Sequence, residues 1–242
     1  MTTIAERLEL VRERLRRVVE SAGRADAEVR LVAVSKTQPA DAIRAAYAAG
    51  QRDFGENYVQ ELQTKAEALA DLPEIRWHML GHLQRNKARQ VVRHAALVHS
   101  VDSAELASEL GKRWRALPGF DPAQRLGCLI EVNIAGEAQK SGVAVAGVDR
   151  VARGIEAVPE LRLAGLMCIP PFAAEPEASR PHFEALARLS AELGGPERLP
   201  ELSMGMSGDY EVAVRSGSTL VRVGTAIFGQ RPLAKVSSVE PA

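Results

Sequence analysis

The stretch RLVAVSKTQPADAIRAAYAAG, residues 30–50, contains a complete strand–turn–helix unit. Its apolar start predicts a strand over Arg30–Ser35, Thr37-Gln38-Pro39 predicts a turn, and the alanine-rich remainder predicts a helix over Ala40–Ala49. A single long amine, Lys36, stands where the strand ends. The rest of the chain must show how often this unit repeats, and whether the lysine is a solvated charge or a reactive group.

The same unit recurs along the whole chain. Further strands are predicted at Asp53–Gly55, Arg76–Leu80, Val98–Val101, Leu126–Asn133, Arg162–Cys168, Glu201–Met204 and Leu220–Val223. Helices are predicted between them at Tyr58–Ala70, Asn86–Val92, Ala104–Leu117, Val148–Ala157, Ala178–Leu193 and Tyr210–Ser216, and one extra helix at Ile4–Ala22 precedes the first strand. Eight such alternations in a chain of this length are typical of a (β/α)8 TIM-type barrel of the α/β class, with a doubly wound open sheet as the alternative.

The organisation along the chain indicates a single domain. We find no linker, low-complexity tract or charge block that would separate two domains. We therefore expect an N-terminal helix at about residues 4–22, a barrel at about residues 29–229 and a short C-terminal tail. The chain ends thirteen residues after VGTAIFG, which we expect to leave no room for a second domain.

The composition excludes several classes of protein. Thirty-one Lys and Arg balance thirty-one Asp and Glu, so no net charge attracts the chain to nucleic acid or anionic lipid. Cys128 and Cys168 lie in apolar runs, as expected for buried thiols in a reducing cytosol. The charged N-terminus lacks the apolar core of a signal peptide, and no run approaches the ~20 apolar residues of a membrane span. We expect a cytoplasmic monomer with no nucleic-acid or membrane partner.

Two loops near the C-terminus indicate a phosphate site. In a barrel, functional groups collect at the carboxyl ends of the strands, and the last two strands often hold phosphate. The stretches SMGMSGD (residues 203–209) and VGTAIFG (residues 223–229) offer hydroxyls, small residues and the start of a helix, which suit a dianion. Glycines that only make tight turns are the alternative, and the occurrence of both loops at the expected positions favours the phosphate site.

A lysine across the same barrel mouth gives this site a possible chemistry. The amine of lysine ionises near ~10.4 in water, and burial or a neighbouring cation such as Arg222 would lower that pKa and free the lone pair. A reactive Lys36 facing a phosphate predicts a Schiff base with a phosphorylated aldehyde or ketone. Two classes fit: covalently held pyridoxal 5'-phosphate, or an aldolase-like adduct with a sugar phosphate.

Other motifs are weak. The five histidines lack the spacing of known metal sites, and His82 is the one nearest the predicted mouth, where it would form part of a pocket wall. No GxGxxG or Walker A sequence occurs, so dinucleotide or ATP binding is not expected. The basic stretch Gln84–His94 is predicted to be a solvated helix face rather than an anion or RNA patch.

Several stretches together resemble one family. They are AVSKTQP, FGENYVQE, WHMLGHLQRNKAR, HSVDS, EVNIAGEAQKSGV, GLMCIPP, LSMGMSGDYEVAV and STLVRVGTAIFG. In order and spacing they resemble the pyridoxal phosphate homeostasis family, also called the YggS or proline synthase co-transcribed family, from about Val29 to Gly229. The departures are minor: Met79-Leu80 stands where Phe-Ile is usual, and HSVDS replaces HSVDR.

The resemblance implies a fold like the N-terminal domain of alanine racemase and a pyridoxal phosphate site. The implied cofactor-binding residues are Lys36, Asn57, Met206, Ser207, Arg222, Gly224 and Thr225. Lys36 would carry the cofactor as a Schiff base, Arg222 would lie near the pyridine nitrogen, and Asn57 would lie near the ring.

The phosphate would be held by Ser207, Gly224 and Thr225, with Met206 contributing its backbone. The resemblance also implies a function in intracellular vitamin B6 homeostasis without robust catalysis and without a metal, with pyridoxal-phosphate-dependent apo-enzymes as acceptors of the cofactor. A small amino-acid racemase that uses the same cofactor is the alternative.

Overall fold

Eight parallel strands close into a barrel in the computed structural model, which describes residues 2–230. The barrel strands are β1 (Arg30–Val34), β2 (Asp53–Glu56), β3 (Arg76–Met79), β4 (Ala95–Val101), β5 (Leu126–Asn133), β7 (Leu161–Met167), β8 (Glu201–Ser203) and β9 (Leu220–Val223), and a ninth, short strand is β6 (Val143–Ala144). The helices are α1 (Ile4–Ser21), α2 (Ala40–Ala48), α3 (Val59–Ala68), α4 (Ala88–Val91), α5 (Ala104–Arg115), α6 (Val148–Glu156), α7 (Arg180–Glu192), α8 (Gly195–Arg198), α9 (Tyr210–Arg215) and α10 (Thr225–Phe228).

The order of the strands confirms the barrel rather than the open sheet. Hydrogen-bonded neighbours run β4-β3-β2-β1-β9-β8-β7-β5, and an additional β4–β5 pairing closes the ring. The short strand β6 pairs in parallel with the last two residues of β5 and is not a barrel strand. Every pairing is parallel, so the carboxyl ends of all eight strands lie at the same end of the barrel.

The structure differs from the sequence-based prediction at three short elements. A one-turn helix, α8, lies between the predicted helix at Ala178–Leu193 and the predicted strand at Glu201–Met204, and its Pro196 occupies the first turn, where proline is tolerated. The single turn of α10 and the two residues of β6 are too short to leave a periodic pattern. The expected C-terminal tail lies beyond residue 230, outside the described residues.

The extra N-terminal helix is confirmed at α1. Thr3 and Glu6 form a reciprocal capping box at its start, which satisfies two backbone amides of the first turn. Its buried face follows the three- and four-residue spacing of the sequence, with Leu8, Val11 and Leu15 among the buried residues. This face packs against α2, α9 and α10, so α1 covers the seam where the first and last strands of the barrel meet.

The barrel has two hydrophobic layers. The larger one lies between the strands and the surrounding helices. A second cluster consists only of strand residues: Val32, Leu97, Leu129, Ala164, Met167 and Leu220. Because it is separate from the larger cluster and all its members lie on strands, we infer that this cluster fills the barrel interior. Within residues 2–230, no helix is long and apolar enough to cross a membrane.

Candidate functional site

A cavity of about 410 Å³ opens at the carboxyl ends of the barrel strands. The residues that line it are Val34, Lys36, Gln38, Asn57, Leu80, Ile169, Phe172, Met206, Ser207, Gly208, Arg222, Gly224, Thr225, Phe228 and Gly229. All seven residues that the sequence singled out therefore lie in the wall of one cavity. They come from loops that are up to about 190 positions apart in the sequence, and only the closure of the barrel brings them together.

The segment that carries Lys36 has an unusual backbone. Lys36 lies two residues after the end of β1, and its neighbour Thr37 has a φ of +64°. A β-branched residue in the left-handed region costs on the order of 1–3 kcal/mol, and such strain persists only where the surrounding structure enforces it. The strained turn thus indicates that the position of Lys36 is fixed by its neighbours.

A buried polar network provides that enforcement. The ammonium group of Lys65 on α3 donates to the carbonyl oxygen of Ser35 (2.7 Å), to Glu56 (2.9 Å) and to Glu61 (2.7 Å). The hydroxyl of Ser35 donates to Glu56 at 2.6 Å, and the strained amide of Thr37 donates to Glu61 at 2.7 Å. Burial raises the pKa of Glu56, while Lys65 opposes that rise. The network ties both residues that flank Lys36 to α3.

The opposite wall is built from the loops after β8 and β9. Gly205 has a φ of +91°, which turns the chain sharply after β8. The amide of Gly224 donates to the hydroxyl of Ser207 at 3.2 Å, so the two loops meet in the cavity wall. Asp209 accepts a hydrogen bond from the amide of Met206 at 2.7 Å, which closes the first loop on itself.

These two loops present hydrogen-bond donors to the cavity. Within residues 2–230, the backbone amides of Ser207, Gly208 and Thr225 donate to no other protein group. A Cβ added to Gly208 would meet nothing within 4 Å, so this part of the wall faces open space. Amides, two hydroxyls and glycine backbone together form a cradle suited to an anion with several oxygen atoms.

Arg222 forms the cationic part of the cavity wall, although its side chain is almost fully buried, at 4% exposure. Its guanidinium donates to the hydroxyl of Ser203 at 2.6 Å and to the carbonyl oxygen of Cys168 at 2.9 Å. Burial lowers the pKa of Arg222, because taking a cation out of water favours its neutral form. The guanidinium is therefore fixed from below while it faces the cavity.

Other residues considered from the sequence lie elsewhere. Cys128 and Cys168 are buried as expected, and burial raises the pKa of each thiol to about 12. His82 is not among the lining residues; it lies 3.6 Å from Asp102. Within the described part of the chain, no group of His, Cys, Asp and Glu side chains could hold a metal ion.

Sequence reasoning missed the apolar walls and the supporting network. Leu80, Ile169, Phe172 and Phe228 line the cavity, and Phe172 is 98% exposed at its rim. The position of Phe172 after Pro170-Pro171, at a strand end, was the one signal that could have pointed to a role at the mouth. Lys65 gave no such signal, because it stands in an ordinary helical pattern.

Comparison with known proteins finds similarity along nearly the whole chain. The family model described as "Alanine racemase, N-terminal domain" matches residues 7–232. A pyridoxal phosphate homeostasis protein of Pseudomonas aeruginosa is 46% identical over 231 residues, covering 96% of this chain and 97% of that protein. Its namesake in Escherichia coli strain K12 is 42% identical and covers 97% of this chain and 100% of that protein.

Solved structures agree with this comparison. PipY of Synechococcus elongatus, solved with PLP bound, superposes with a TM-score of 0.79 at 39% identity and covers 94% of this chain and 100% of PipY. Alanine racemase from Corynebacterium glutamicum superposes with a TM-score of 0.63 at 20% identity and covers 97% of this chain and 65% of the racemase, which shows the shared fold alone.

Proposed function

Because the chain belongs to the pyridoxal phosphate homeostasis protein family, we propose that it binds pyridoxal 5'-phosphate in the cavity at the carboxyl ends of its strands and serves vitamin B6 homeostasis. The observation that carries the proposal is the meeting of Lys36 with the Ser207 and Gly224-Thr225 loops around one cavity. PipY, a relative with PLP bound, supports the choice of ligand.

The residues of the cavity fit this cofactor. The backbone amides of Ser207, Gly208 and Thr225, which donate to no protein group within residues 2–230, suit its phosphate. The apolar side chains Leu80 and Ile169 suit a flat aromatic ring. When bound, the cofactor supplies an aldehyde that condenses with a primary amine, and Lys36 is the only amine in the cavity wall among the described residues.

We infer that each side chain has a distinct role in holding the cofactor. Lys36 binds it covalently, and Ser207, Gly224 and Thr225 bind its phosphate together with the backbone of Met206. Arg222 would face the ring nitrogen and Asn57 would lie beside the ring, since both line the cavity. Because a guanidinium only donates hydrogen bonds, Arg222 disfavours a proton on that nitrogen and weakens the ring as an electron sink.

The cavity is poor in groups that would move protons during turnover. Lys36 and Arg222 are the only charged side chains among its described lining residues. None of the three tyrosines lines it: the hydroxyl of Tyr47 donates to Glu74, Tyr58 is exposed before α3, and Tyr210 is buried on α9. We therefore propose that the protein binds the cofactor without robust catalysis. From the sequence we also propose that it is a cytoplasmic monomer and that apo-enzymes that use the cofactor accept it from this carrier.

Absorbance spectroscopy tests the covalent site. The protein mixed with pyridoxal phosphate should show the absorbance band of a protein-bound imine, borohydride should bleach that band, and mass mapping should place the modification on Lys36. Lys36→Ala should lose the band, whereas the exposed control Lys112→Ala should keep it. A modified residue other than Lys36, or a normal band in Lys36→Ala, would refute the assignment.

Chiral chromatography tests the absence of robust catalysis. The loaded protein is incubated with D- and L-amino acids and the isomers are separated over time. Exchange no faster than that of free cofactor is expected. Exchange at enzyme-like rates, on the order of 1 per second or faster, would establish the racemase alternative instead.

A further inference from the structure

A continuous chain of buried polar side chains runs through the barrel interior below the cavity. The carboxylate of Asp53 lies 3.0 Å from Nε2 of His78, whose Nδ1 lies 2.9 Å from Nε2 of His99. Nδ1 of His99 lies 2.9 Å from the hydroxyl of Ser203, which accepts from Arg222 at 2.6 Å. These five residues, from five different strands or strand starts and all less than 9% exposed, are here called the interior chain.

The chemistry of its two ends, together with a single proton on each imidazole ring, gives one direction of donation along the interior chain. Arg222 can only donate, and the carboxylate of Asp53 can only accept. The hydroxyl of Ser203 accepts from Arg222 and donates its own proton to Nδ1 of His99. Nε2–H of His99 then donates to Nδ1 of His78, and Nε2–H of His78 donates to Asp53. With a single proton on each ring, this direction places that proton on Nε2 of both histidines.

The buried environment supports this arrangement. Burial lowers the pKa of His99 well below its usual range, and the nearby His78 and Arg222 add to this effect. Burial alone would raise the pKa of Asp53, but hydrogen bonds from Arg76 and His78 outweigh it, so the net pKa is lowered. Asp53 is therefore the ionised acceptor that the direction of the chain requires.

The interior chain cannot conduct a proton to the cavity. A guanidinium has no lone pair that could receive a proton from Ser203, so transfer along the chain stops at Arg222. The interior chain can instead orient the guanidinium of Arg222. It presents the oxygen of Ser203 to Arg222 with its lone pairs available, and the carbonyl of Cys168 fixes a second nitrogen of the guanidinium.

The other end of the interior chain reaches solvent at the opposite face of the barrel. Arg76 holds Asp53 through two hydrogen bonds of 2.8 and 2.6 Å, and its side chain is 53% exposed. Both residues line a second cavity of about 320 Å³, whose wall also contains Arg12, Arg30 and Arg52. A change at Arg76 can therefore be made far from the cofactor cavity and in contact with water.

We propose that the interior chain is a positioning device that fixes the Arg222 guanidinium against the cofactor ring and couples it to the Asp53–Arg76 ion pair at the opposite end of the barrel. The inference rests on the proposed function, in which Arg222 faces the ring nitrogen. His78, His99 and Ser203 are positioning residues, since they act on the cofactor only through Arg222.

Removing Arg76 should reverse the interior chain. Without its cation, Asp53 draws a proton from solvent onto His78, because a buried carboxylate needs a charged partner. Nδ1–H of His78 then donates to Nε2 of His99, and Nδ1–H of His99 donates to Ser203. The hydroxyl of Ser203 then has no acceptor on His99 and must turn, which changes the lone pair that its oxygen presents to Arg222.

Cofactor binding in Arg76→Met tests the coupling. We expect the dissociation constant for pyridoxal phosphate to rise by about 2- to 30-fold, the range found for coupling through packed polar networks, and the absorbance maximum of the bound cofactor to shift. The matched control is Arg52→Met, which removes another arginine of the same cavity, paired with Glu74 at 2.9 Å. It should change the constant by no more than ~2-fold. Equal effects of the two substitutions would overturn the proposal.

Histidine ¹⁵N spectra of the cofactor-free protein test the direction of the chain separately. We expect neutral rings with the proton on Nε2 for both His78 and His99, and a proton on Nδ1 of His78 in Arg76→Met. A proton on Nδ1 of either ring in the unchanged protein overturns the proposal. If the unchanged protein does not bind the cofactor at all, the proposed function fails. The spectra of the cofactor-free protein still decide the direction of the interior chain in that case.

Discussion

Lys65→Met is the substitution that most directly probes how the lysine-bearing turn is held. Methionine keeps the length and apolar character of the side chain but removes the ammonium group. In the native protein that group donates to the Ser35 carbonyl, to Glu56 and to Glu61, and it lies in a site where Glu56 is fully buried. The substitution therefore leaves a buried carboxylate without its cation.

The structure sets the size of the effect. The hydrogen bonds to Ser35 and Glu56 are buried, and a charge-assisted hydrogen bond contributes about 1.5–3 kcal/mol, so these two account for roughly 3–6 kcal/mol. The bond to Glu61 is partly exposed and adds less. Loss of one partner of a buried ion pair costs about 3–5 kcal/mol, which lies within the same range. We expect a loss of about 3–5 kcal/mol at pH 7.5.

The loss should depend on pH in a definite direction. Burial already raises the pKa of Glu56, and removal of Lys65, which opposes that rise, raises the pKa further. A carboxyl group whose pKa is higher in the folded state favours folding when it is protonated and disfavours folding as the pH rises through its folded pKa. The variant should therefore recover part of its lost stability as the pH falls and Glu56 takes up a proton.

Urea unfolding followed by circular dichroism at pH 7.5 and pH 5 measures both quantities. The matched control is Lys112→Met on the exposed face of α5, which should change the free energy of unfolding by no more than about 0.5 kcal/mol. A loss below about 1 kcal/mol for Lys65→Met, or a loss that grows as the pH falls, would refute the view that this ammonium group neutralises Glu56 and anchors the turn at Lys36.

Three further predictions concern the cavity and the core. Ser207→Ala should weaken binding of pyridoxal phosphate by about 10- to 100-fold, the value of one hydrogen bond to a charged group, and leave binding of phosphate-free pyridoxal unchanged in equilibrium dialysis. Gly81→Ala should lower the melting temperature, because its Cβ would overlap the backbone oxygen of Asn57, and a loss of about 1–3 kcal/mol is expected. Cys128 and Cys168 should resist iodoacetamide at pH 8 in the folded protein and react once it is unfolded, because burial raises the pKa of both thiols to about 12; mass spectrometry counts the adducts.

The sequence by itself determined the fold class and most of the candidate cavity. Alternation of short apolar runs with helical periodicity is a local property, and in a closed barrel the ends of successive strands necessarily meet. That constraint was enough to place Lys36 opposite the loops at Ser207 and Gly224. Strand β5 and β9 agree with their predicted bounds, whereas β4 begins three residues early, because pairing with β3 extends it through Ala95.

Only the tertiary structure decided which polar side chains face the barrel interior and which support the turn at Lys36. Parallel strands that are buried on both faces lack the polar–apolar alternation that would show which way a residue points, so His78 and His99 could not be paired from sequence. The partner of His78, Asp53, comes from the neighbouring strand β2, and the partner of His99, Ser203, comes from the distant strand β8, whose register is fixed by closure of the sheet. A hydrogen bond needs its atoms within a few tenths of an ångström, and that precision arises only when the whole barrel is packed.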